Sequence, residues 1–141
     1  MVINTLNECK TVGRVIKSVS WADEVVVCDM YSDDDSAEIA RKLGAKVVLH
    51  KRVNFVEPAR NFAVEKTSGD FVLVLDPDEE VSVELGEKLK EIANSQTPPD
   101  YVEIPRKNII FRGFMKASMR WPDYNIRFFR KAAVTWSNEI N

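Results

Sequence analysis

Apolar and polar residues alternate in blocks along the first part of the chain. Four segments rich in apolar residues have the length of a short β-strand; they are residues 2–4, 25–28, 45–49 and 71–75. The run at residues 25–28 ends abruptly at Asp29, as buried parallel strands do. Apolar residues also recur at helical spacing within residues 12–19, 36–43, 57–67 and 82–93. Four alternations of strand and helix predict an α/β fold: a mainly parallel sheet with right-handed crossovers and helices on both faces.

The pattern changes after the Thr-Pro-Pro-Asp segment at residues 97–100. No long helical pattern follows it, and the apolar residues favour short strands at residues 101–104, 108–111, 124–129 and 134–136. We therefore expect one composite domain over residues 1–141, with an α/β half at residues 1–97 and a β-rich half at residues 98–141. Within the first half, Gly44 is expected to end the second helix and Ser82 to cap the fourth.

A chain of 141 residues with 45% hydrophobic and 30% charged residues can bury one ordinary core. No apolar run approaches the roughly 20 residues that cross a bilayer, and the N-terminus lacks the pattern of a signal peptide. We therefore expect a cytoplasmic protein. Cys9 and Cys28 lack the spacing of a metal cluster, and we interpret both as packing residues.

The net charge of −2 hides an uneven distribution. Residues 1–105 carry 12 Lys and Arg against 20 Asp and Glu, whereas residues 106–131 carry eight basic residues and only one acidic residue, Asp123. Carboxylates in the first part could hold a cation while the basic stretch meets an anionic substrate or the inner face of the cell membrane. A solvated charge pattern explains the same distribution, and nothing points to nucleic acid as a partner.

Polar residues gather where the predicted strands end. Thr5-Leu6-Asn7-Glu8 follows the first strand, Asp29 ends the second, and residues 76–80 follow the fourth. Ligands of parallel α/β sheets bind beyond the carboxyl ends of the strands. These residues are therefore expected to line one binding edge.

Asp76-Pro77-Asp78 is the most specific of these segments. On an extended backbone, residues i and i+2 point the same way, so the two carboxylates could share one cation. Mg²⁺ and Mn²⁺ prefer oxygen ligands and commonly keep positions open for phosphate oxygens. The pattern predicts a divalent metal site at Asp76 and Asp78 that carries a diphosphate.

Several segments together resemble a known family. They are Thr5-Leu6-Asn7-Glu8, Asp29 with Ser32, Asp33 and Asp34, Arg60-Asn61-Phe62-Ala63, Gly69-Asp70, Leu75-Asp76-Pro77-Asp78-Glu79, Trp121-Pro122-Asp123-Tyr124 and Arg127-Phe128-Phe129-Arg130. Each segment alone is weak, but their order and spacing are specific. The sequence resembles the family 2 glycosyltransferases, particularly bacterial members related to lipopolysaccharide core glycosyltransferases.

The resemblance implies the GT-A fold, which is Rossmann-like, and an inverting sugar transfer from a nucleotide-diphospho-sugar, usually UDP-linked. It implies one divalent metal, Mg²⁺ or Mn²⁺, and a saccharide or glycolipid acceptor in envelope polysaccharide or lipopolysaccharide synthesis. Residues 1–97 would then be the nucleotide-binding half, and residues 98–141 the start of the acceptor side. Oligomeric state stays open.

Site residues carried over by resemblance lie at the strand ends. The nucleotide-binding set is Thr5, Asn7 and Glu8 beside the base and ribose, Asp29 at the base edge, Arg60 near the phosphates, and Asp76. An inverting transfer needs a base for the acceptor hydroxyl. Asp123, between Trp121 and Tyr124, is our first candidate for that base, and Glu139 is the second.

Two departures from the family leave details open. Residues 29–35 read Asp-Met-Tyr-Ser-Asp-Asp-Asp where relatives usually have small residues or glycine, which affects the base contacts. The sequence given also stops about where relatives continue into helices that complete the acceptor site. We therefore expect a fragment whose catalytic base could lie beyond residue 141.

Two other functions are compatible with parts of this pattern. A nucleotidyltransferase also uses acidic metal ligands on an α/β sheet, but no glycine-rich, basic phosphate loop follows the first strand. A non-enzymatic module could bind nucleotide without turnover. Metal-dependent sugar transfer or hydrolysis would distinguish an enzyme from such a module.

Overall fold

The structure is a computed structural model. It describes the backbone of residues 1–54, 56–106, 109–110, 113–114 and 123–137, and the side chains of residues 1–54, 56–105 and 124–137. The elements are β1 Val2–Thr5, α1 Val12–Ser18, β2 Val26–Asp29, α2 Ser36–Lys42, β3 Lys46–Leu49, α3 Glu57–Glu65, β4 Phe71–Leu75, α4 Val83–Ala93, β5 Tyr101–Arg106, β6 Ile109–Ile110, β7 Gly113–Phe114 and β8 Asp123–Arg130. No helix in these ranges is long and apolar enough to cross a membrane.

Six strands form one sheet in the order β3-β2-β1-β4-β8-β5. Strands β1 to β4 are parallel, whereas β8 runs antiparallel to both β4 and β5. Strands β6 and β7 form a separate antiparallel pair. The predicted α/β fold with a mainly parallel sheet is confirmed, and β8 extends that sheet instead of forming a second one.

The alternation of side chains along the strands builds two apolar layers. Ile3 and Val27 pack with residues of α1, α2 and α4 on one face of the sheet. Val2 and Val26 pack with α3 on the other face. Because both faces are covered, β1, β2 and β4 are mostly apolar, and the polar residues of β1 and β2 lie at their carboxyl ends.

Local signals for two helix ends are confirmed. Gly44 follows α2 with φ +84°, a backbone conformation that glycine adopts without strain. Ser82 caps α4, because its hydroxyl accepts a hydrogen bond from Leu85 N at 3.2 Å.

The predicted strand at residues 134–136 is wrong. These residues are irregular, and a side chain of α3 holds them in place of a strand partner. The Asn61 amide accepts from Trp136 N at 3.0 Å and donates to Trp136 O at 2.8 Å. The Trp136 ring meets Phe129 edge-on at 5.3 Å. Packing of this aromatic residue explains the apolar pattern that suggested a strand.

Gly86→Ala in α4 is expected to lower the melting temperature by roughly 4 °C, a loss of about 1 kcal/mol. Alanine normally favours a helix over glycine by about 1 kcal/mol. At this position, however, a Cβ would lie 2.7 Å from Trp21 Nε1. Gly13→Ala in α1 is the matched control, because its Cβ would be 3.5 Å from the nearest side-chain atom. Thermal unfolding should place the two variants on opposite sides of the wild type; equal stabilisation would contradict the packing argument.

Candidate functional site

The strand registers bring the predicted polar residues to one edge of the sheet. Thr5 of β1 is paired with Asp29 of β2, and Ile3 is paired with Leu75, the residue before Asp76. Thr5, Asp29 and Asp76 therefore follow one another along the carboxyl ends of neighbouring strands, as predicted.

The loop after β1 is locked to the loop after β2 through Asn7. Asn7 N donates to Ser32 Oγ at 2.9 Å, and Asn7 Oδ1 accepts from Asp33 N at 2.7 Å. Asn7 has φ 58°, a left-handed conformation that asparagine tolerates better than most residues. The structure thus gives Asn7 a loop-fixing role, in addition to the nucleotide contact that the sequence predicts.

Glu8 connects the loop after β1 to the start of α2 by a hydrogen bond. Its backbone N donates to Ser36 Oγ at 2.7 Å, and Cys9 N donates to Asp34 Oδ2 at 3.0 Å. The Ser36 hydroxyl and backbone N both donate to Asp34, and these bonds hold the pKa of Asp34 well below its ordinary value. The Glu8 carboxylate accepts from Thr11 Oγ1 at 2.8 Å at the start of α1. This arrangement turns the Glu8 side chain toward its own helix.

The ends of β1 and β2 contain buried polar groups. Asp29 is 2% exposed, and its carboxylate accepts from Ser32 N at 3.0 Å and from Ser32 Oγ at 2.5 Å. Thr5 is 1% exposed, and its hydroxyl has no hydrogen-bond partner within the described residues. The buried amide of Asn4, which sequence reasoning missed, also lacks one there. Unsatisfied buried groups are rare in proteins, so a ligand or water is expected to contact them.

Asp76 lies between two arginines. Arg60 of α3 donates from Nη2 to Asp76 Oδ1 at 2.6 Å, and Arg127 of β8 donates from Nη2 to Asp76 Oδ2 at 2.8 Å. The same Arg127 nitrogen donates to Glu79 Oε1 at 2.8 Å. We call these four residues the ion cluster. Burial alone would raise the pKa of Asp76, but the hydrogen bonds and charges of Arg127 and Arg60 hold this pKa below its ordinary value.

Sequence reasoning missed Arg127 as a site residue. Val102 of β5 is paired with Phe128, but the next residue, Glu103, is paired with Ile126. Arg127 therefore has no residue opposite it and forms a β-bulge, a feature that often redirects a side chain near an active site. The signal in the sequence was a charge between the apolar residues Ile126 and Phe128, because a buried charge requires a partner.

The backbone at Asp76–Asp78 differs from the extended conformation that we assumed for the metal prediction. Glu79 N donates to Asp76 O at 3.0 Å, which closes a turn around Pro77 and Asp78. Asp76 is partly buried in the ion cluster, whereas Asp78 is exposed at the tip of the turn. The turn therefore gives the two carboxylates different surroundings.

A divalent metal fits this edge of the sheet only if a bound phosphate group and water supply part of its coordination. Within the described ranges, no group of three or more His, Cys, Asp or Glu is arranged to hold a metal. Asp78 makes no hydrogen bond or ion pair with the described residues, and Asp76 retains lone pairs beyond its two arginine bonds. Two carboxylates suit Mg²⁺ or Mn²⁺ when phosphate oxygens and water complete the coordination. Cys28 is no candidate, because burial raises the pKa of its thiol to about 12.

The two candidates for the catalytic base lie at the limits of the described chain. Asp123 is the first residue of β8 and is paired with Arg106 of β5, but its side chain is outside the described set. Glu139 lies outside the described residues altogether. Both assignments stay predictions. Three residues of β8 lie between Asp123 and the bulge at Arg127.

A cavity of 220 Å³ lies at the opposite edge of the sheet. Trp21, Phe71, Leu89 and Phe128 contribute its apolar wall, and none of the predicted site residues lines it. Charged groups, buried polar atoms and loop geometry all converge at the carboxyl ends of the strands instead. The candidate functional site is therefore this edge of the sheet and not the cavity.

Comparison with known proteins identifies the family. The model of the family described as "Glycosyl transferase family 2" matches residues 1–139. The chain belongs to this family.

Relatives from two rickettsial species agree with the family assignment. An uncharacterized glycosyltransferase of Rickettsia typhi is 37% identical over 142 residues, which cover 99% of this chain and 48% of the relative. One from Rickettsia prowazekii is 35% identical with the same coverage. The chain therefore spans about half the length of these family members.

Solved structures confirm the GT-A fold that the resemblance implied. Glucosyl-3-phosphoglycerate synthase from Mycobacterium tuberculosis in complex with Mn²⁺ and UDP-glucose is 32% identical, with a TM-score of 0.50 over 55% of this chain and 32% of that chain. The same enzyme in complex with UDP is 33% identical, with the same TM-score and coverage. The match therefore covers about half of this chain.

Proposed function

We propose that this chain binds the donor for an inverting sugar transfer: a nucleotide-diphospho-sugar, UDP-linked, together with Mg²⁺ or Mn²⁺. The observation that carries the proposal is the carboxyl edge of the sheet, where exposed Asp78 stands beside the ion cluster. Complexes of the similar synthase with UDP, and with Mn²⁺ and UDP-glucose, support this choice of donor and metal.

The uridine end of the donor would lie over β1 and β2. There the Thr5 hydroxyl and the Asn4 amide are buried without partners in the described chain, and Asp29 retains acceptor capacity for a base N–H. Asn7 and Glu8 would border the base and ribose from the locked loop. Their existing bonds fix the backbone of this loop before the donor arrives.

The diphosphate would lie between the ion cluster and Asp78. Arg60 Nε is buried without a partner in the described residues, so this guanidinium can still donate to a phosphate oxygen while it holds Asp76. Asp78, with Asp76 beside it, would hold the divalent ion. The bound ion would neutralise charge that develops on the leaving diphosphate.

We propose as acceptor a saccharide or glycolipid of envelope polysaccharide or lipopolysaccharide synthesis, with Asp123 or Glu139 as the base that takes its proton. The basic stretch at residues 106–131 would meet the anionic acceptor or the inner face of the cell membrane. The similar synthase binds phosphoglyceric acid, so a small phosphorylated acid belongs in any acceptor panel.

UDP is expected to bind at least tenfold more tightly with Mn²⁺ than with a chelator. Without the ion, the Asp78 carboxylate repels the diphosphate. With the ion, the phosphate oxygens complete a coordination for which the described residues offer no group of three ligands. Isothermal calorimetry on one preparation, with Mn²⁺ or EDTA, measures both affinities. ADP and GDP serve as controls for the base, and each should bind more weakly than UDP.

Assays on the same preparation distinguish an enzyme from a nucleotide-binding module. Release of UDP from UDP-glucose in the presence of Mn²⁺ and an acceptor panel supports transfer. Equal UDP affinity with and without chelator would exclude the metal bridge. Metal-dependent binding without release under any acceptor would favour a nucleotide-binding module over an enzyme.

A further inference from the structure

Arg127 reaches the ion cluster because β8 is irregular at that residue. The bulge removes Arg127 from pairing with β5, and pairing of β8 with β4 covers only residues 128–130. The side chain is 13% exposed and donates from one nitrogen to both Asp76 and Glu79, each at 2.8 Å. A strand that gives up regular pairing to place one guanidinium beside two carboxylates indicates a specific role for that charge.

The charges around the turn determine how strongly it attracts a cation. Asp76, Asp78 and Glu79 place three carboxylates within four consecutive residues. Their negative charge attracts a hard divalent cation, although the structure does not arrange three of them around one ion. Arg60 and Arg127 offset two of those charges, and Arg60 also lies 3.7 Å from Glu57, so the described charges around the turn stay net negative.

We propose that Arg127 is a positioning residue that keeps the metal site weak until the donor's diphosphate arrives. It holds Asp76 and Glu79 in the turn and cancels charge that would otherwise bind the ion alone. This inference rests on the proposed donor site. The diphosphate supplies the missing negative charge, so metal and donor bind together.

This role predicts strong coupling between the two ligands. Mn²⁺ should bind weakly to the protein alone and tightly when UDP is present, and by linkage UDP should respond to Mn²⁺ by the same factor. Removal of the Arg127 charge should strengthen binding of Mn²⁺ alone and so reduce the coupling. Simple damage to the turn would instead weaken Mn²⁺ binding both with and without UDP.

The test is the Arg127→Gln variant, titrated with Mn²⁺ while the free ion is followed by electron paramagnetic resonance. We expect the Kd for Mn²⁺ without UDP to fall at least about tenfold relative to wild type, because a nearby unit charge is removed. The ratio of the Kd values without and with UDP should shrink accordingly. Arg130→Gln is the matched control: it removes the same charge from the same strand, but Arg130 is paired with Asp100 and is 40% exposed. Its Kd for Mn²⁺ should equal that of wild type.

If the Kd of folded Arg127→Gln for Mn²⁺ without UDP is unchanged or larger than that of wild type, Arg127 does not weaken the metal site and the proposal is overturned. Thermal unfolding verifies that the variant is folded at the assay temperature. If the variant is unfolded, the Kd of wild type for Mn²⁺ in the absence of UDP decides between the two outcomes. A micromolar Kd would contradict a weakened metal site, and a millimolar Kd would support it. Failure of UDP to bind wild type with Mn²⁺ would instead refute the proposed donor site itself.

Discussion

Asp78→Asn is expected to lower the Mn²⁺-dependent affinity for UDP by about 100-fold, or about 2.7 kcal/mol. Asp78 is exposed at the tip of the turn and makes no bond with the described residues. Loss of its charge therefore removes a ligand of the ion without disturbing the fold, and the melting temperature should stay within about 2 °C of wild type. Calorimetry with UDP and Mn²⁺, together with thermal unfolding, measures both quantities.

Asp70→Asn is the control for this variant. Asp70 is another exposed carboxylate and precedes β4 at the opposite edge of the sheet. Its substitution removes the same charge and should leave UDP affinity unchanged. Equal UDP affinity in Asp78→Asn and wild type would remove Asp78 from the metal site and leave the proposed coordination without its accessible ligand.

Asp76→Asn is expected to lower the free energy of unfolding by about 3 kcal/mol, because it leaves two largely buried guanidiniums without their shared carboxylate. Arg60 and Arg127 are 14% and 13% exposed. An amide presents one acceptor oxygen where the carboxylate presents two, and its NH₂ group would face a guanidinium. The melting temperature should fall by roughly 10 °C in the absence of ligands.

The comparison with Asp78→Asn makes this result specific. The same chemical change at two positions of one turn should reduce stability at Asp76 and ligand affinity at Asp78. Similar melting temperatures for the two variants in the absence of ligands would show that the ion cluster contributes little to the fold. The measurement requires no UDP, so it stands apart from the proposed function.

The strands, helices and binding edge could be predicted because each depends on local patterns. Apolar runs that end at Thr5, Asp29 and Asp76 determine both the strands and the side of the sheet where polar groups gather. The conformation at Asp76–Asp78 could not be predicted in the same way. Whether these residues continue the strand or form a turn depends on Glu79 and on Arg127, which is distant in the sequence.

Contacts between distant parts of the chain explain the other errors. Arg127 lies 51 residues from Asp76, and its bulge depends on how β8 aligns with β5. Residues 134–136 have the apolar pattern of a strand, but the Asn61 side chain binds the backbone of Trp136 in the place of a strand partner. Periodicity within one segment carries no information about such partners.

The position of β8 between β4 and β5 also determines when the sheet can be completed during synthesis. After β4 has emerged from the ribosome, about 50 further residues must follow before β8 can pair with it. Until then, β4 presents an open strand edge, and the apolar layer lacks Phe129, which is fully buried in the finished fold. Pairing over such a sequence separation is slow. The nascent α/β half is thus exposed to intermolecular strand pairing until its last strand arrives.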